Sequence, residues 1–201
     1  MVKTESLQKL QKGDIAPDFT LPGIDGRTYS LKSLAGKSGL FVLFMCNHCP
    51  YVRARMEEVV ALHKEFGNEI AFVGINSSDP EYPGEGEENM KAFAKERNIT
   101  FPYLLDEDGA VAKKYGATCT PDPFLFSSSE RGTTLSDPPV GGESKGDFRL
   151  VFHGRIADAL EPEDEVHEHT MRGVMENLIK GEPIEPWFNP SLGCSIKFRG
   201  S

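Results

Sequence analysis

A Cys-Asn-His-Cys-Pro segment at positions 46–50 joins a short apolar run to a stretch with helical spacing, and this junction constrains the fold more than any other feature. The run at 40–45 has the continuous apolar character of a strand buried on both faces. Positions 51–66 place apolar residues at mostly helical spacing, which predicts a helix with one buried stripe. Pro50 suits the first helical position because it has no N–H to leave unpaired. We therefore expect the chain to pass from strand to helix at Cys49.

The predicted position of Cys49 indicates a reactive thiol. A helix N-terminus offers unpaired N–H groups and about half a positive charge, and both favour a thiolate over a thiol. Such placement lowers a cysteine pKa from about 8.5 into the range of about 3.5–7.5. We expect Cys49 to be a partly accessible nucleophile, and the alternative is an inert cysteine in the core.

Composition narrows the class of protein. The chain has 201 residues, which suits one domain with a sizeable core, and its net charge of −9 argues against nucleic acid or an anionic membrane surface as a partner. It has no run of 18 apolar residues, and residues 1–6 lack the apolar core of a signal peptide. Four cysteines are too few for a disulfide scaffold of this length and are more typical of catalysis or metal binding in a reducing cytosol. We therefore expect a cytoplasmic location.

The rest of the chain alternates between strand-like and helix-like segments. Turn signals predict a β-hairpin within residues 13–34. Further strands are expected at 70–75, 103–105, 124–126 and 150–153, and further helices at 87–97, 111–115 and 166–180. Residues 127–147 are expected to form an inserted loop, mobile or built as an extended β-arm, and residues 182–201 an irregular tail. This order predicts a single α/β domain over residues 1–201, with a central mixed sheet flanked by helices.

Several short motifs occur in an order that carries a family resemblance. They are Gly13–Phe19 followed by Asp25-Gly26 and Ser30-Leu31, Phe44 five residues before Cys49, Cys119-Thr120-Pro121-Asp122, and Asn189–Ser195. With these motifs the chain resembles the thioredoxin-like superfamily, specifically the peroxiredoxin-like, Cys-Asn-His-Cys-Pro branch of the alkyl hydroperoxide reductase/thiol-specific antioxidant (AhpC/TSA) family. The resemblance implies a thioredoxin-like fold, antioxidant or related thiol chemistry at Cys49, and a cis-proline at Pro121 facing that cysteine.

Two departures from the family pattern leave the direction of the reaction open. Thioredoxins carry a second cysteine three residues after the first, where this chain has Val52. Peroxiredoxins carry a peroxide-binding threonine three residues before the nucleophile, where this chain has Cys46.

The other three cysteines each have a redox role and a plain packing role as alternatives. Cys46 is expected to act with Cys49 as a catalytic thiol, since three residues across a turn can bring two Cα atoms within the ~4.4–6.8 Å that a disulfide needs. The resemblance places Cys119 near the helix start, where it is a third pocket thiol or a packing residue. Cys194 could resolve an oxidised Cys49, or be structural.

Polar neighbours complete the expected pocket. The supporting residues are Asn47, His48, Pro50, Arg53, Thr120 and Pro121. A charged His48 or Arg53 would favour a thiolate, and the alternative for both is a solvated surface residue. No cofactor and no bound metal are expected, since the acidic and histidine residues at 164–169 suit a helix start without one.

Three functions are compatible with these residues. The leading hypothesis is a peroxiredoxin-like thiol peroxidase, in which a Cys49 thiolate reduces a hydroperoxide and a second cysteine resolves the sulfenic acid. The second is a thioredoxin-like disulfide reductase or isomerase using Cys46 and Cys49. Either would draw electrons from a thioredoxin-like or small-thiol donor, and a homodimer is left open. The third is a Cu- or Zn-binding or metal-assembly protein using Cys46, Cys49 and His48.

Overall fold

A six-stranded sheet forms the centre of the computed structural model, which describes residues 3–128 and 147–200. Its strands are β4 (Gly39–Phe44), β5 (Ile70–Asn76), β6 (Tyr103–Leu105), β8 (Asp122–Ser128), β9 (Phe148–Gly154) and β10 (Phe188–Asn189). The spatial order is β10-β9-β8-β4-β5-β6. Strand β4 pairs in parallel with β5 and antiparallel with β8, so the sheet is mixed, as predicted.

Helices lie against both faces of this sheet. They are α1 (Leu31–Leu34), α2 (Pro50–Phe66), α3 (Glu87–Glu96), α4 (Ala110–Tyr115) and α5 (Thr170–Lys180). Helices α2, α3 and α5 share one apolar core, and α4 packs into a second core on the opposite face. The predicted α/β architecture is confirmed. None of the helices in residues 3–128 and 147–200 is long and apolar enough to cross a bilayer.

Strand β4 separates the two cores and explains why its sequence is apolar without interruption. Phe41 and Leu43 point into the core of α2, whereas Val42 and Phe44 point into the core of α4. Successive side chains of a strand face opposite sides, so a strand covered on both faces needs apolar residues throughout. Each fully buried side chain of this size stabilises the fold by about 1.5–3 kcal/mol. The site at the end of β4 is therefore built on a rigid element.

The N-terminal hairpin and the helix after Cys49 are as predicted. Strands β2 (Thr20–Pro22) and β3 (Thr28–Ser30) pair antiparallel within residues 13–34. Helix α2 begins at Pro50, and Cys49 is its N-cap residue.

The prediction of a helix from 166 is wrong at its start, because α5 begins only at Thr170. Residues 167 and 168 bond to Asp158 instead of forming a helical turn. The Asp158 carboxylate accepts a hydrogen bond from the backbone N–H of His167 at 3.0 Å, and the Asp158 N–H donates to the carbonyl of Glu168 at 3.0 Å.

The C-terminal segment is not an irregular tail, and that prediction is wrong. It contributes β10 to the central sheet, and β11 (Leu192–Ser195) lies between β1 (Lys3–Glu5) and β7 (Cys119–Thr120) in a separate three-stranded sheet. In this sheet Cys194 is opposite Lys3 on one side and Thr120 on the other. The segment is thereby fixed on both sides beside the start of α2.

The expected inserted loop at 127–147 is shorter at its first end than predicted. Ser127 and Ser128 continue β8 and pair with Arg149 and Phe148 of β9. Residues 129–146, on which the expectation of a mobile loop or β-arm falls, lie outside the described residues.

Gly193 is a position at which β11 approaches β7 too closely for any side chain. A Cβ atom there would lie 2.0 Å from the carbonyl oxygen of Thr120. We expect Gly193→Ala to lower the free energy of unfolding by about 1–3 kcal/mol, because the two strands must separate. Gly173→Ala in α5, where a Cβ meets nothing within 4 Å, is the matched control and should be neutral or stabilising. Urea unfolding measures both, and equal effects of the two substitutions would contradict the close approach.

Candidate active site

Cys49 lies at the end of the segment that connects β4 to α2. Its backbone is extended (φ −69°, ψ 120°), and Pro50 occupies the first position of the helix. The residue is 0% exposed, so the expectation of partial access is wrong. The sulfur is covered by the cis-proline loop and by β11, which a local reading of residues 46–50 does not reveal. Cys49 is nevertheless at a helix start and surrounded by thiols, unlike an inert core cysteine.

Three other groups lie against the sulfur of Cys49 or beside it. The Sγ atom of Cys194 is 2.9 Å from that of Cys49, and the Thr120 carbonyl oxygen is 3.2 Å from it. Cys46 also hydrogen-bonds to Cys49, and its Sγ atom is 3.1 Å from the Thr120 hydroxyl. Cys46, Cys119 and Cys194 are all buried, and all four cysteines are in the reduced form. The structure therefore brings Cys46 and Cys194 to Cys49.

Hydrogen bonds decide which sulfur carries the negative charge. The thiol of Cys194, then that of Cys46, and the N–H of Val52 hold the pKa of Cys49 well below its ordinary value, against the opposing effect of burial. The Thr120 carbonyl oxygen can accept a hydrogen bond from a protonated Cys49, but it is a single acceptor against two thiols and the backbone N–H groups of Val52 and Cys194. We conclude that Cys49 is the thiolate of the cluster.

The partner thiols are held protonated by the same charge. Hydrogen bonding to Cys49 raises the pKa of Cys46, and burial and the carboxylate of Glu85 raise it further. The pKa of Cys194 is also raised, first by its hydrogen bond to Cys49 and then by burial, whereas Lys197 opposes the shift. One thiolate and two thiol donors therefore form the reduced state.

The loop after β7 faces the cysteines as the resemblance implied. The Thr120–Pro121 peptide bond is cis. Thr120 contacts Cys46 through its hydroxyl and Cys49 through its carbonyl oxygen. Cys119 instead pairs with Ser195 in the β7–β11 ladder, and burial raises its pKa. We assign Cys119 to the packing of this sheet.

Glu85, which was not among the residues predicted from the sequence, holds the Cys46–Cys49 segment in place. Its carboxylate accepts hydrogen bonds from the backbone N–H groups of Asn47 and His48, at 3.0 and 3.1 Å. It also accepts from the side-chain amide of Asn76 at 2.6 Å and contacts the His48 ring. The only signal in the sequence is a glycine on each side, Gly84 and Gly86, both with positive φ. Nothing in a Pro- and Gly-rich loop indicates that its carboxylate turns inward.

The other predicted support residues stabilise the loop rather than contact the Cys49 sulfur. Asn47 accepts a hydrogen bond from the Tyr103 hydroxyl at 2.9 Å. Arg53 donates to the Asn47 carbonyl at 3.2 Å and to Glu96 at 2.6 Å. His48 is directed to Glu85 and packs on the Tyr82 ring, with centroids 4.9 Å apart. Within the described residues, the thiolate is therefore stabilised by thiols and a helix start, without a direct contact from His48 or Arg53.

One group of potential metal ligands occurs in the part of the chain that the structure describes. Ligand atoms of Cys46, His48 and Glu85 lie within 4.8 Å of one another. The set differs from the one expected, since Glu85 takes the place of Cys49. The Glu85 oxygens already accept several N–H donors, so a cation would have to displace hydrogen bonds that fix the loop. This arrangement is a poor fit for a metal ion.

Comparison with known proteins decides the family. Residues 12–139 match the model of the AhpC/TSA family. The chain belongs to the AhpC/TSA family. A crystal structure of a conserved protein from Geobacillus kaustophilus has the same fold, with a TM-score of 0.85 and 34% identity over 100% of this chain and 98% of that one. The thioredoxin-like fold is thereby confirmed.

Relatives of this AhpC/TSA-family chain include both oxidoreductases and a peroxiredoxin. The thioredoxin-like protein YneN of Bacillus subtilis is 32% identical over 68% of this chain and 75% of its own length. The thiol-disulfide oxidoreductase ResA of Geobacillus thermodenitrificans is 32% identical over 57% and 62%. Peroxiredoxin Q of Populus jackii is 27% identical over 83% and 70%. The expected class, a thiol oxidoreductase, is confirmed at this level.

The hydrogen bond from Cys194 can be tested through the titration of Cys49. Because the pKa of Cys49 is lowered, its thiolate is present above that pKa and is lost only as the pH falls through it. We expect the wild type to retain thiolate ultraviolet absorbance at about pH 6, where an ordinary cysteine is protonated. Cys194→Ala should shift this titration to higher pH, and Cys119→Ala should leave it unchanged. A wild-type titration at the ordinary cysteine pKa would contradict the assignment.

Removing the Glu85 carboxylate tests the support of the loop. Glu85→Ala leaves several buried N–H groups without an acceptor, so we expect the free energy of unfolding to fall by at least about 2 kcal/mol. The matched control is Glu81→Ala in the same loop, where an exposed carboxylate lies 3.8 Å from Arg199 and should contribute less than about 1 kcal/mol. Equal losses in urea unfolding would show that Glu85 carries no special role.

Proposed function

We propose that this protein is a thiol-disulfide oxidoreductase that reduces disulfides through the thiolate of Cys49. The observation that carries the proposal is the placement of two thiols against the Cys49 sulfur at a helix start, with the Cys194 sulfur 2.9 Å from that of Cys49. A low-pKa thiolate beside a second thiol is the arrangement that two-electron disulfide exchange requires. The names of ResA and YneN support the same chemistry.

The reaction proceeds in two exchanges. The Cys49 thiolate attacks one sulfur of the client disulfide and forms a mixed disulfide with it. The client S–S bond breaks, and the other client sulfur leaves as a thiolate that takes a proton. A second protein thiol then attacks Cys49, releases the second client thiol and closes a protein disulfide. The client gains two electrons and the protein loses two. A thioredoxin-like or small-thiol donor would return the protein to the dithiol state.

A surface groove beside Pro121 offers a place for the client. Its lining includes Tyr51, Pro121 and Leu160, which is 37% exposed. Arg55, which also lines it, donates hydrogen bonds to the carbonyl oxygens of Ala159 and Glu161, at 3.2 and 3.0 Å. A partly apolar groove next to the cis-proline suits an extended peptide segment that carries the disulfide.

Reduction of hydroperoxides is the second candidate, and the peroxiredoxin Q relative favours it. In that reaction Cys49 would attack the O–O bond and become a sulfenic acid, and a second thiol would condense with it and release water. Cys46 takes the place of the family's threonine, but the hydroxyl of Thr120 lies 3.1 Å from its sulfur. We rank this reaction second because disulfide exchange agrees better with ResA and YneN. The antioxidant role, a cytoplasmic location and a homodimer stay predictions.

The two candidates are separated by measuring both reactions on the same protein. We expect the wild type to reduce insulin or oxidised glutathione, and Cys49→Ser to lose at least about 100-fold in rate because the nucleophile is gone. Cys119→Ser removes a buried thiol outside the cluster and should match the wild type. Stopped-flow peroxide consumption is run in parallel. Peroxide turnover that depends on Cys49, without disulfide reduction, would overturn the proposal in favour of the peroxidase.

A further inference from the structure

The second thiol of the reaction is not fixed by the family pattern. In thioredoxins it lies three residues into the helix, but Val52 occupies that position here and is buried in the apolar core. The Sγ atom of Cys194 instead lies 2.9 Å from that of Cys49. We propose that Cys194 is the resolving thiol and that the working disulfide is Cys49–Cys194. This inference rests on the proposed function and assigns the residue that completes it.

Strand pairing gives Cys194 its position. Its backbone pairs with Thr120, whose carbonyl oxygen in turn lies 3.2 Å from the sulfur of Cys49. Gly193 allows this approach, because any Cβ there would collide with the same carbonyl. On the other side, β1 holds Cys194 opposite Lys3. A small side-chain movement then closes a bond of about 2.05 Å between the two sulfurs.

Cys46 has a different role because of the charge beside it. When Cys49 is bound in a mixed disulfide its negative charge is gone, which removes the main cause that holds both partner thiols protonated. Cys46 still faces the carboxylate of Glu85, which disfavours a second thiolate there. For Cys194 the positive charge of Lys197, whose amine hydrogen-bonds to the adjacent Ser195, instead lowers the pKa and so favours its thiolate. The thiol that ionises at the resolving step is therefore Cys194, and Cys46 remains a donor that stabilises the Cys49 thiolate.

The resolving step is balanced within the proposed exchange. Cys194 loses its proton and its thiolate attacks Sγ of Cys49 in the mixed disulfide. The Cys194–Cys49 bond forms as the bond from Cys49 to the client sulfur breaks. The client leaves as a thiolate and takes up a proton, so that two protein thiols have been oxidised and one client disulfide has been reduced.

The test uses the full chain and one equivalent of oxidised glutathione, with intact-mass and non-reducing tryptic analysis. Trypsin leaves Cys46 and Cys49 on one peptide, residues 38–53, and Cys194 on another, residues 181–197. A Cys49–Cys194 bond therefore links two peptides, whereas a Cys46–Cys49 bond stays within one. We expect the linked pair in the wild type and in Cys46→Ser. Cys119→Ser serves as the matched control and should also give the linked pair.

The decisive variant is Cys194→Ser, in which the glutathione adduct on Cys49 should persist at least about tenfold longer than in the wild type. Cys194→Ala should give the same result as Cys194→Ser. Circular dichroism checks that both variants keep the native fold. Resolution at the wild-type rate in both, with the bond inside peptide 38–53, would overturn the role of Cys194 and leave the proposed function standing. A wild type that takes up no glutathione and forms no disulfide would overturn the proposed function, and the resolving step with it.

Discussion

The antiparallel contact between β11 and β7 holds the redox centre together. Thr120 is its common element, since it pairs with Cys194 along the ladder and presents its carbonyl oxygen to Cys49 and its hydroxyl to Cys46. Cys46 and Cys49, from one segment, and the distant Cys194 therefore meet at this one residue. Because the carbonyl of Thr120 lies where a side chain on residue 193 would be, glycine at that position sets how closely the sulfurs can approach.

The buried carboxylate of Glu85 has two effects on the segment that carries Cys46 and Cys49. Glu85 is satisfied by the N–H groups of the loop that carries Cys46 and Cys49, and so fixes that loop. The hydrogen bond to Cys49 and burial raise the pKa of Cys46, and the same carboxylate raises it further, so Cys46 stays a hydrogen-bond donor. A thiolate on Cys49 then has donors on two sides, from Cys46 and Cys194. A single buried carboxylate thus supports both the geometry and the ionisation of the nucleophile.

Short-range sequence patterns were sufficient to predict β4, α2 and the residue between them that caps the helix. The apolar run of β4, the helical spacing of α2 and the position of Cys49 at its cap follow from periodicity and from Pro50. The cis bond before Pro121 followed from the family resemblance alone.

Contacts between segments that are distant in the sequence could not be predicted from such patterns. Strand β11 has only four residues and pairs with segments about 75 and 190 positions away, so it has no alternation from which a strand could be predicted. The burial of Cys49 and its contact with Cys194 depend on that pairing. Glu85 was missed for a related reason, because a charged residue in a loop is normally solvated unless tertiary contacts bring donors to it.

The central place of β11 in its three-stranded sheet has a kinetic consequence. Cys49 has no exposed surface, and the strand that covers it is paired on both edges. We therefore expect a disulfide client to reach the sulfur through a loosening of these ladders or a movement of the small sheet away from α2. The turnover rate would then reach a limit set by the rate of this opening, even at high concentrations of the disulfide. Between openings, the Cys49 thiolate would be shielded from oxidants in solution.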